Sequence, residues 1–211
     1  MNRAHKGKVV RWLELVAVFV ALPLLHASGL IPGHVLVWLA GLAGVCLVLL
    51  LADTRFDRRR LGNRPGWRRE VGRTLLLFSL VAVFVSAAVW WAAPKAFLGL
   101  PRSRPELWLL VMVLYPLLSA YPQELVWRTF FFHRYRALFP RPQLMVAASA
   151  IAFGLMHVVF GNWVAVAMSG AGGWLFAATY SRSKSTLSAW WEHTLYGWLV
   201  FTVGLGRYFV F

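Results

Sequence analysis

Long apolar segments repeat along the whole chain and are separated by short polar or charged stretches. A helix that crosses a bilayer needs about 20 predominantly apolar residues. The segments do not alternate apolar and polar residues, as the strands of a membrane β-barrel would. The pattern therefore predicts an all-α fold, a polytopic membrane helix bundle of about seven transmembrane helices. The predicted spans are residues 12–29, 34–52, 74–93, 107–122, 143–161, 163–180 and 186–206.

The composition and the placement of charge support a membrane protein. Hydrophobic residues make up 60% of the 211 residues, which is more than soluble domains contain. A net charge of +15 could indicate nucleic-acid binding. However, 18 of the Lys and Arg residues fall in alternate loops and only 4 in the others. This is the positive-inside asymmetry, and it predicts a cytoplasmic N-terminus, an external C-terminus and a lipid bilayer, not nucleic acid, as partner.

The chain divides by content into two regions. Residues 1–73 resemble a helical hairpin followed by an Arg-rich cytoplasmic loop, and residues 74–211 contain all the candidate chemistry. Gly62, Pro65 and Gly66 predict that the loop 53–73 is irregular.

The sixth predicted span has small residues at every fourth position. Small side chains at this spacing form a smooth helix face and allow a second helix to approach closely. The pattern favours close helix packing over a substrate groove. The residues are Ala165, Ser169, Gly173 and Ala177.

Three ionisable side chains lie within apolar sequence, namely Glu124, His157 and His193. Such residues are costly in a bilayer unless they meet one another, and by default they indicate a functional site. Arg128 follows Glu124 by one helical turn, so the two are expected to pair on one helix face. Glu124 and His157 lie on either side of the break at 140–142, each about 23 Å from it along a helix. Antiparallel helices would place them at the same depth.

A carboxylate with two imidazoles is compatible with two kinds of chemistry. Glu124, His157 and His193 could bind a divalent metal such as zinc and leave a fourth position for water. Alternatively, without a cofactor, Glu124 could act as general base on a water while a histidine stabilises the oxyanion.

The three motifs resemble those of the CAAX prenyl endoprotease and bacteriocin-processing (CPBP, or Abi) intramembrane proteases. That family shows Glu-Glu-x-x-x-Arg, Phe-x-x-x-His and His-x-x-x-Asn or Asp on successive membrane helices. The resemblance covers roughly residues 75–206 and implies an intramembrane endopeptidase in a bacterial inner membrane. The matching motifs are Gln123-Glu124-x-x-x-Arg128, Phe153-x-x-x-His157 and His193-x-x-x-Gly197.

Two positions depart from the family pattern. Gln123 stands where the family has the Glu that activates water, and a Gln cannot take a proton. Gly197 stands where the family has the Asn or Asp that helps to hold the oxyanion or the metal. Catalysis would then require Glu124 to turn inward, or Glu192 to act in its place.

The sequence leaves three functions open. The first is an endopeptidase that cleaves a peptide or a membrane-associated protein, with Glu124, His157 and His193 as catalytic or metal-binding residues and Arg128 orienting Glu124. The second is a catalytically silent relative that acts as a membrane binding, immunity or scaffold protein, which Gln123 and Gly197 favour. The third is a small transporter, although the inverted repeats typical of that class are not found.

Overall fold

The computed structural model describes the backbone of residues 3–210 and the side chains of residues 7–210. Within that range the chain is helical and contains no β-strand, so the predicted all-α class is confirmed. We number the long helices α1 (3–27), α2 (Val35–Ala52), α3 (Arg64–Ala92), α4 (Pro105–Arg134), α5 (Pro142–Met156), α6 (Trp163–Ser183) and α7 (Thr186–Val203). Shorter helices lie at Arg58–Leu61, Gly99–Ser103, Arg136–Leu138, His157–Phe160 and Leu205–Phe209.

Helices α1 to α4 contain segments that are long and apolar enough to cross a membrane, and so does α5 together with the short helix His157–Phe160. The described part of the chain therefore has five such segments. The other two predicted spans are the helices α6 and α7, of 21 and 18 residues. They do not reach the same apolar character, so the count of seven spans is not confirmed.

Apolar residues face outwards while charged residues lie inside, as expected for a helix bundle in lipid. Val83 and Phe84 on α3 are 72% and 74% exposed, whereas the side chains of Glu124 and Arg128 are fully buried. The protein is accordingly an integral membrane protein.

Proline and polar caps set where several helices begin. α3, α4 and α5 each have a proline in the first turn, where the missing amide hydrogen is not needed. Other helices begin at a residue whose side chain accepts a hydrogen bond from a backbone N–H. Asn162 caps α6 through the amide of Ala165 at 2.8 Å, and Ser185 caps α7 through the amide of Ser188 at 3.3 Å.

The prediction of an irregular loop over 53–73 was wrong in its second half. Pro65 and Gly66 lie in the first turn of α3, whose start is capped by Asn63. A proline is tolerated in a first helical turn, so it starts this helix instead of interrupting it. The division of the chain at residues 73 and 74 falls within α3 and stays a prediction.

Close packing of α5 against α6 agrees with the packing interpretation of the small-residue stripe at Gly173. The four residues of the stripe are buried, and a Cβ added at Gly173 would lie 3.0 Å from the Phe153 ring. A Cβ at Gly154 would lie 3.1 Å from the Cα of Gly170. This close approach fixes the position of Phe153, which lies at the centre of the site described next.

Candidate active site

Glu124 lies at the centre of a buried charge network. The Arg128 Nε atom is 3.1 Å from Glu124 Oε2, and both side chains are 0% exposed. The pairing predicted from their spacing on the helix is therefore present. The other carboxylate oxygen, Oε1, is 2.8 Å from Nδ1 of His193 and accepts its hydrogen bond. This contact joins α4 to α7 and brings together two of the three predicted site residues.

The environment of Arg128 contains contacts that the motifs did not indicate. Arg128 Nη1 donates a hydrogen bond to Ser149 Oγ at 3.1 Å, and Ser149 donates in turn to the Trp127 carbonyl at 2.7 Å. The guanidinium also lies 4.6 Å from the centre of the Phe153 ring. Such a cation–π contact helps to stabilise a desolvated cation. No charge or motif marked Ser149 in the sequence.

Helix α4 has π-helical geometry around these residues, at Pro116–Ala120 and again at Leu125–Phe130. π-turns are rare and are frequent at functional sites. The extra residue in each turn changes the direction in which the following side chains point. Pro122 lies between the two π-segments.

His193 is held in one orientation by its neighbours. Its ring is stacked on Phe176, with centroids 4.5 Å apart and planes 19° apart. Because a carboxylate can only accept, Nδ1 carries the hydrogen that binds Glu124. Nε2 of the neutral ring therefore carries a lone pair on the opposite side. Phe176 was not identified from the sequence, since one aromatic in an apolar span gives no specific signal.

His157 has the same tautomer for a different reason. It ends α5, and its Nδ1 donates to the backbone carbonyl of Phe153 at 2.8 Å. Nε2 of the neutral ring is again the acceptor. The Phe153 ring contacts both imidazoles edge to face, with centroids 4.8 Å from His157 and 5.5 Å from His193. Phe153 of the second motif thus positions both histidines.

A large, mostly apolar cavity of about 840 Å³ adjoins the two imidazoles. It is partly open, and residues from helices α2 to α7 line it. Such a volume suits a drug-sized molecule or an extended peptide segment. Polar side chains on its wall include Tyr115, Ser119, Gln123, His157, Ser169 and His193.

Neither acid of the predicted site, Glu124 or Glu192, lines the cavity, although Gln123 and His193 beside them do. Gln123 lines the cavity and donates from Nε2 to Ser119 Oγ at 2.8 Å. Glu124, the next residue, faces Arg128 and His193 and is not part of the wall. Glu192 is 1% exposed and lies near Thr179 and Arg182 instead of on the wall. Glu124 therefore points into the bundle, as catalysis would require, and contacts His193 there.

The predicted metal ligands do not fit a metal ion in this arrangement. In the part of the chain that the structure describes, no group of three or more His, Cys, Asp or Glu side chains is arranged to hold one. Both oxygens of Glu124 are directed at Arg128 and His193. A ligand set of Glu124, His157 and His193 would require these contacts to break.

One comparison with known proteins gives a match, and it falls on the helices that carry the site. Residues 105–199 match the Rce1-like family model, described as type II CAAX prenyl endopeptidase. The resemblance inferred from the motifs is confirmed over this segment, which contains all three motifs. No curated protein and no solved structure shows a significant match to the chain. The matched family is a family of proteases.

Proposed function

We propose that the protein is an intramembrane endopeptidase that hydrolyses a peptide bond in a peptide or membrane-associated protein. The observation that carries the proposal is the buried Glu124–His193 hydrogen bond beside a cavity onto which both histidines open. It lies in the segment that matches a family of prenyl endopeptidases. The family match gives no support to a catalytically silent relative.

In this proposal His193 is the base that activates water and Glu124 acts through it. The carboxylate holds the Nδ1 hydrogen at 2.8 Å, which leaves Nε2 able to accept a proton from the cavity side. Once His193 is protonated, the adjacent carboxylate stabilises the imidazolium, as in other acid–histidine pairs. Arg128 holds Glu124 in place by its ion pair at 3.1 Å. Glu124 and Arg128 are then positioning residues.

The hydrolysis needs no further reactant. The water oxygen bonds to the carbonyl carbon of the substrate while one water proton moves to Nε2 of His193. The carbonyl oxygen becomes an oxyanion. When the tetrahedral intermediate collapses, the C–N bond breaks and the proton passes from His193 to the leaving amine. The products are a carboxylic acid, which then ionises, and an amine.

We assign His157 the task of orienting the water. Its Nε2 carries a lone pair, so it can accept the second hydrogen of the attacking water. Two acceptors on the cavity wall would fix the water with an oxygen lone pair directed at the substrate. Correct orientation of this kind supplies a substantial part of enzymatic rate enhancement.

The cavity supports an apolar substrate group. With about 840 Å³ of space and a wall built mainly of aliphatic and aromatic side chains, it can bury a lipid chain or the apolar side chains of a peptide. The hydrophobic effect would stabilise the bound state by roughly 25 cal/mol per Å² of apolar surface removed from water.

The proposal can be tested with the full-length protein in lipid nanodiscs. The probe is a fluorogenic peptide with a farnesylated cysteine, one form of the prenyl chemistry that the family description names. Membrane proteomes of cells with wild-type and His193→Ala protein provide a second source of substrates. We expect His193→Ala to lower kcat by roughly 10²–10⁴, the usual cost of losing a general base. His157→Ala should have a similar effect.

His133→Ala is the matched control, because this histidine contacts the exposed Asp53 at 2.9 Å and lies outside the cavity. It should cleave at the wild-type rate. If neither the peptide nor any membrane protein is cleaved by the wild type, the endopeptidase proposal fails. A biological effect that survives His193→Ala and His157→Ala would instead indicate a binding role.

A further inference from the structure

The side-chain space at Gly197 is occupied by Tyr115. A Cβ built on Gly197 would collide with the Tyr115 ring and would lie 2.6 Å from its hydroxyl oxygen. Gly197 is one helical turn after His193, so a side chain there would lie beside the imidazole on the same face of α7. The Tyr115 hydroxyl, which comes from α4, therefore lies where the first atoms of that side chain would be.

Tyr115 is part of the cavity wall, and its ring contacts His193 edge to face with centroids 5.8 Å apart. Within residues 7–210 its hydroxyl makes no hydrogen bond to protein. Phe201 supports the ring from the other side, at 5.5 Å. The ring is thus held by packing, while the hydroxyl remains available to a molecule in the cavity.

The proposed reaction requires a hydrogen-bond donor that the histidines do not supply. Both Nδ1 hydrogens are already used in hydrogen bonds within the protein, to Glu124 and to the Phe153 carbonyl. Each neutral ring therefore presents only an acceptor to the substrate. An oxyanion needs donors placed where its charge develops, and a glycine at 197 has no side chain to donate.

We propose that the Tyr115 hydroxyl donates a hydrogen bond to the oxyanion and takes the place of the missing side chain at position 197. The inference rests on the proposed endopeptidase function and adds a catalytic residue to it. The tyrosine keeps its proton throughout, so the balance of the hydrolysis is unchanged. Gly197 is the partner that makes room for the ring.

The first test is Tyr115→Phe, which keeps the ring and its contacts with His193 and Phe201 and removes only the hydroxyl. We expect kcat to fall roughly 10²–10³-fold, the usual effect of losing one oxyanion donor. KM should change by less than about threefold, because the hydrogen bond forms mainly in the transition state. Protein level and thermal unfolding should match the wild type. Tyr121→Phe, on the same helix but outside the cavity wall, should leave kcat unchanged.

The second test exchanges the two positions. Gly197→Asn alone should be poorly folded, since its Cβ collides with the Tyr115 ring. Combined with Tyr115→Ala, the same Asn has space and brings an amide donor to the site. We expect the double variant to be at least about tenfold more active than Tyr115→Ala alone, in the range expected for a restored donor.

The outcomes separate this inference from the function on which it rests. A wild-type protein that cleaves nothing overturns both. A wild type that cleaves, with a Tyr115→Phe variant that is equally fast, overturns the role of Tyr115 alone. A Tyr115→Phe variant with a raised KM and a lowered unfolding temperature would also overturn it, because those changes indicate packing.

Discussion

At the scale of single residues, the buried charges are the most sensitive part of the molecule. Arg128 and Glu124 are fully buried, and a charge without a partner in such surroundings costs much more than the pair itself. Ser149 and Phe153 satisfy part of the guanidinium, but neither neutralises its charge. Each charge can therefore be buried in the bundle only because the other is beside it.

We predict that Arg128→Ala destabilises the protein by about 3–5 kcal/mol, the usual cost of breaking a buried ion pair from one side. Accumulation in membranes and thermal unfolding in detergent measure the effect. Arg59→Ala is the control, because its ion pair with Asp57 is exposed and should contribute little to stability. Equal stability of the two variants would contradict the buried pair.

Glu124→Gln removes the charge of the carboxylate and keeps its shape. The amide can still accept from His193 Nδ1, but it no longer stabilises an imidazolium. We expect lower accumulation than wild type, because Arg128 loses its charged partner, and a fall in kcat of the folded protein of roughly 10²–10⁴, as for loss of the base itself. Activity within a few-fold of wild type would remove Glu124 from the mechanism.

Gln123→Glu should be tolerated and can raise activity. A carboxylate at 123 can accept a hydrogen bond from Ser119, which replaces the present bond of 2.8 Å from Gln123 Nε2. It would also place an acid on the cavity wall, where the resembling proteases have one. We expect kcat at least equal to wild type, measured on the same substrate. A large loss at normal protein level would show that the amide itself is required.

At the scale of helices, the contact between α5 and α6 determines where the aromatic centre of the site lies. A Cβ at Gly154 would meet backbone atoms of Val166 and Gly170 at 3.1 Å, and backbone cannot move aside easily. Phe153, the preceding residue, contacts both imidazoles. A small displacement of α5 would therefore move the histidines relative to the cavity.

We predict that Gly154→Ala costs about 1–3 kcal/mol, typical of an overpacked contact, and lowers kcat as well. Gly170→Ala is the control on the facing helix, since a Cβ there meets nothing within 4 Å. Thermal unfolding and cleavage measured together test the idea. Wild-type behaviour of Gly154→Ala would show that the two helices can separate without cost.

At the scale of the whole molecule, several cationic clusters meet at one end of the bundle. Thr186 at the start of α7 donates to the Arg60 carbonyl at 3.0 Å, which brings the 53–63 loop to the turn between α6 and α7. Burial and the nearby charges of Arg60 and Arg136 lower the pKa of Lys184 in that turn. Positive charge concentrated at this end of the bundle supports the prediction that this end faces the cytoplasm.

We predict that Arg60 lies in the cytoplasm and Arg207 outside. Single cysteines at these positions, in a Cys46→Ser background, should be labelled by membrane-impermeant reagents from opposite sides. Native Cys46 is a free cysteine, and its replacement leaves the introduced cysteine as the one that can react. Labelling of both positions from one side would contradict the cation asymmetry and the seven-span arrangement.

The sequence alone determined the helical membrane class and the motifs, because both depend on local pattern. The length of an apolar segment and the four-residue spacing of Glu124 and Arg128 are properties of a single helix. The match over residues 105–199 confirms the family resemblance drawn from the three motifs. Position along one helix does not fix rotation about its axis, however, and the π-segments of α4 change that rotation where the site lies.

Only the tertiary structure decided which groups meet. Contacts between helices depend on packing far apart in sequence, so nothing local indicated that Glu124 would bind His193 Nδ1 or that Phe176 would stack on that ring. The same packing fixes both histidine tautomers, with Nδ1 as donor and Nε2 as acceptor. It also gives a reason for the glycine at position 197. In the sequence Gly197 is a missing side chain, whereas in the fold the Tyr115 ring occupies the space of that side chain.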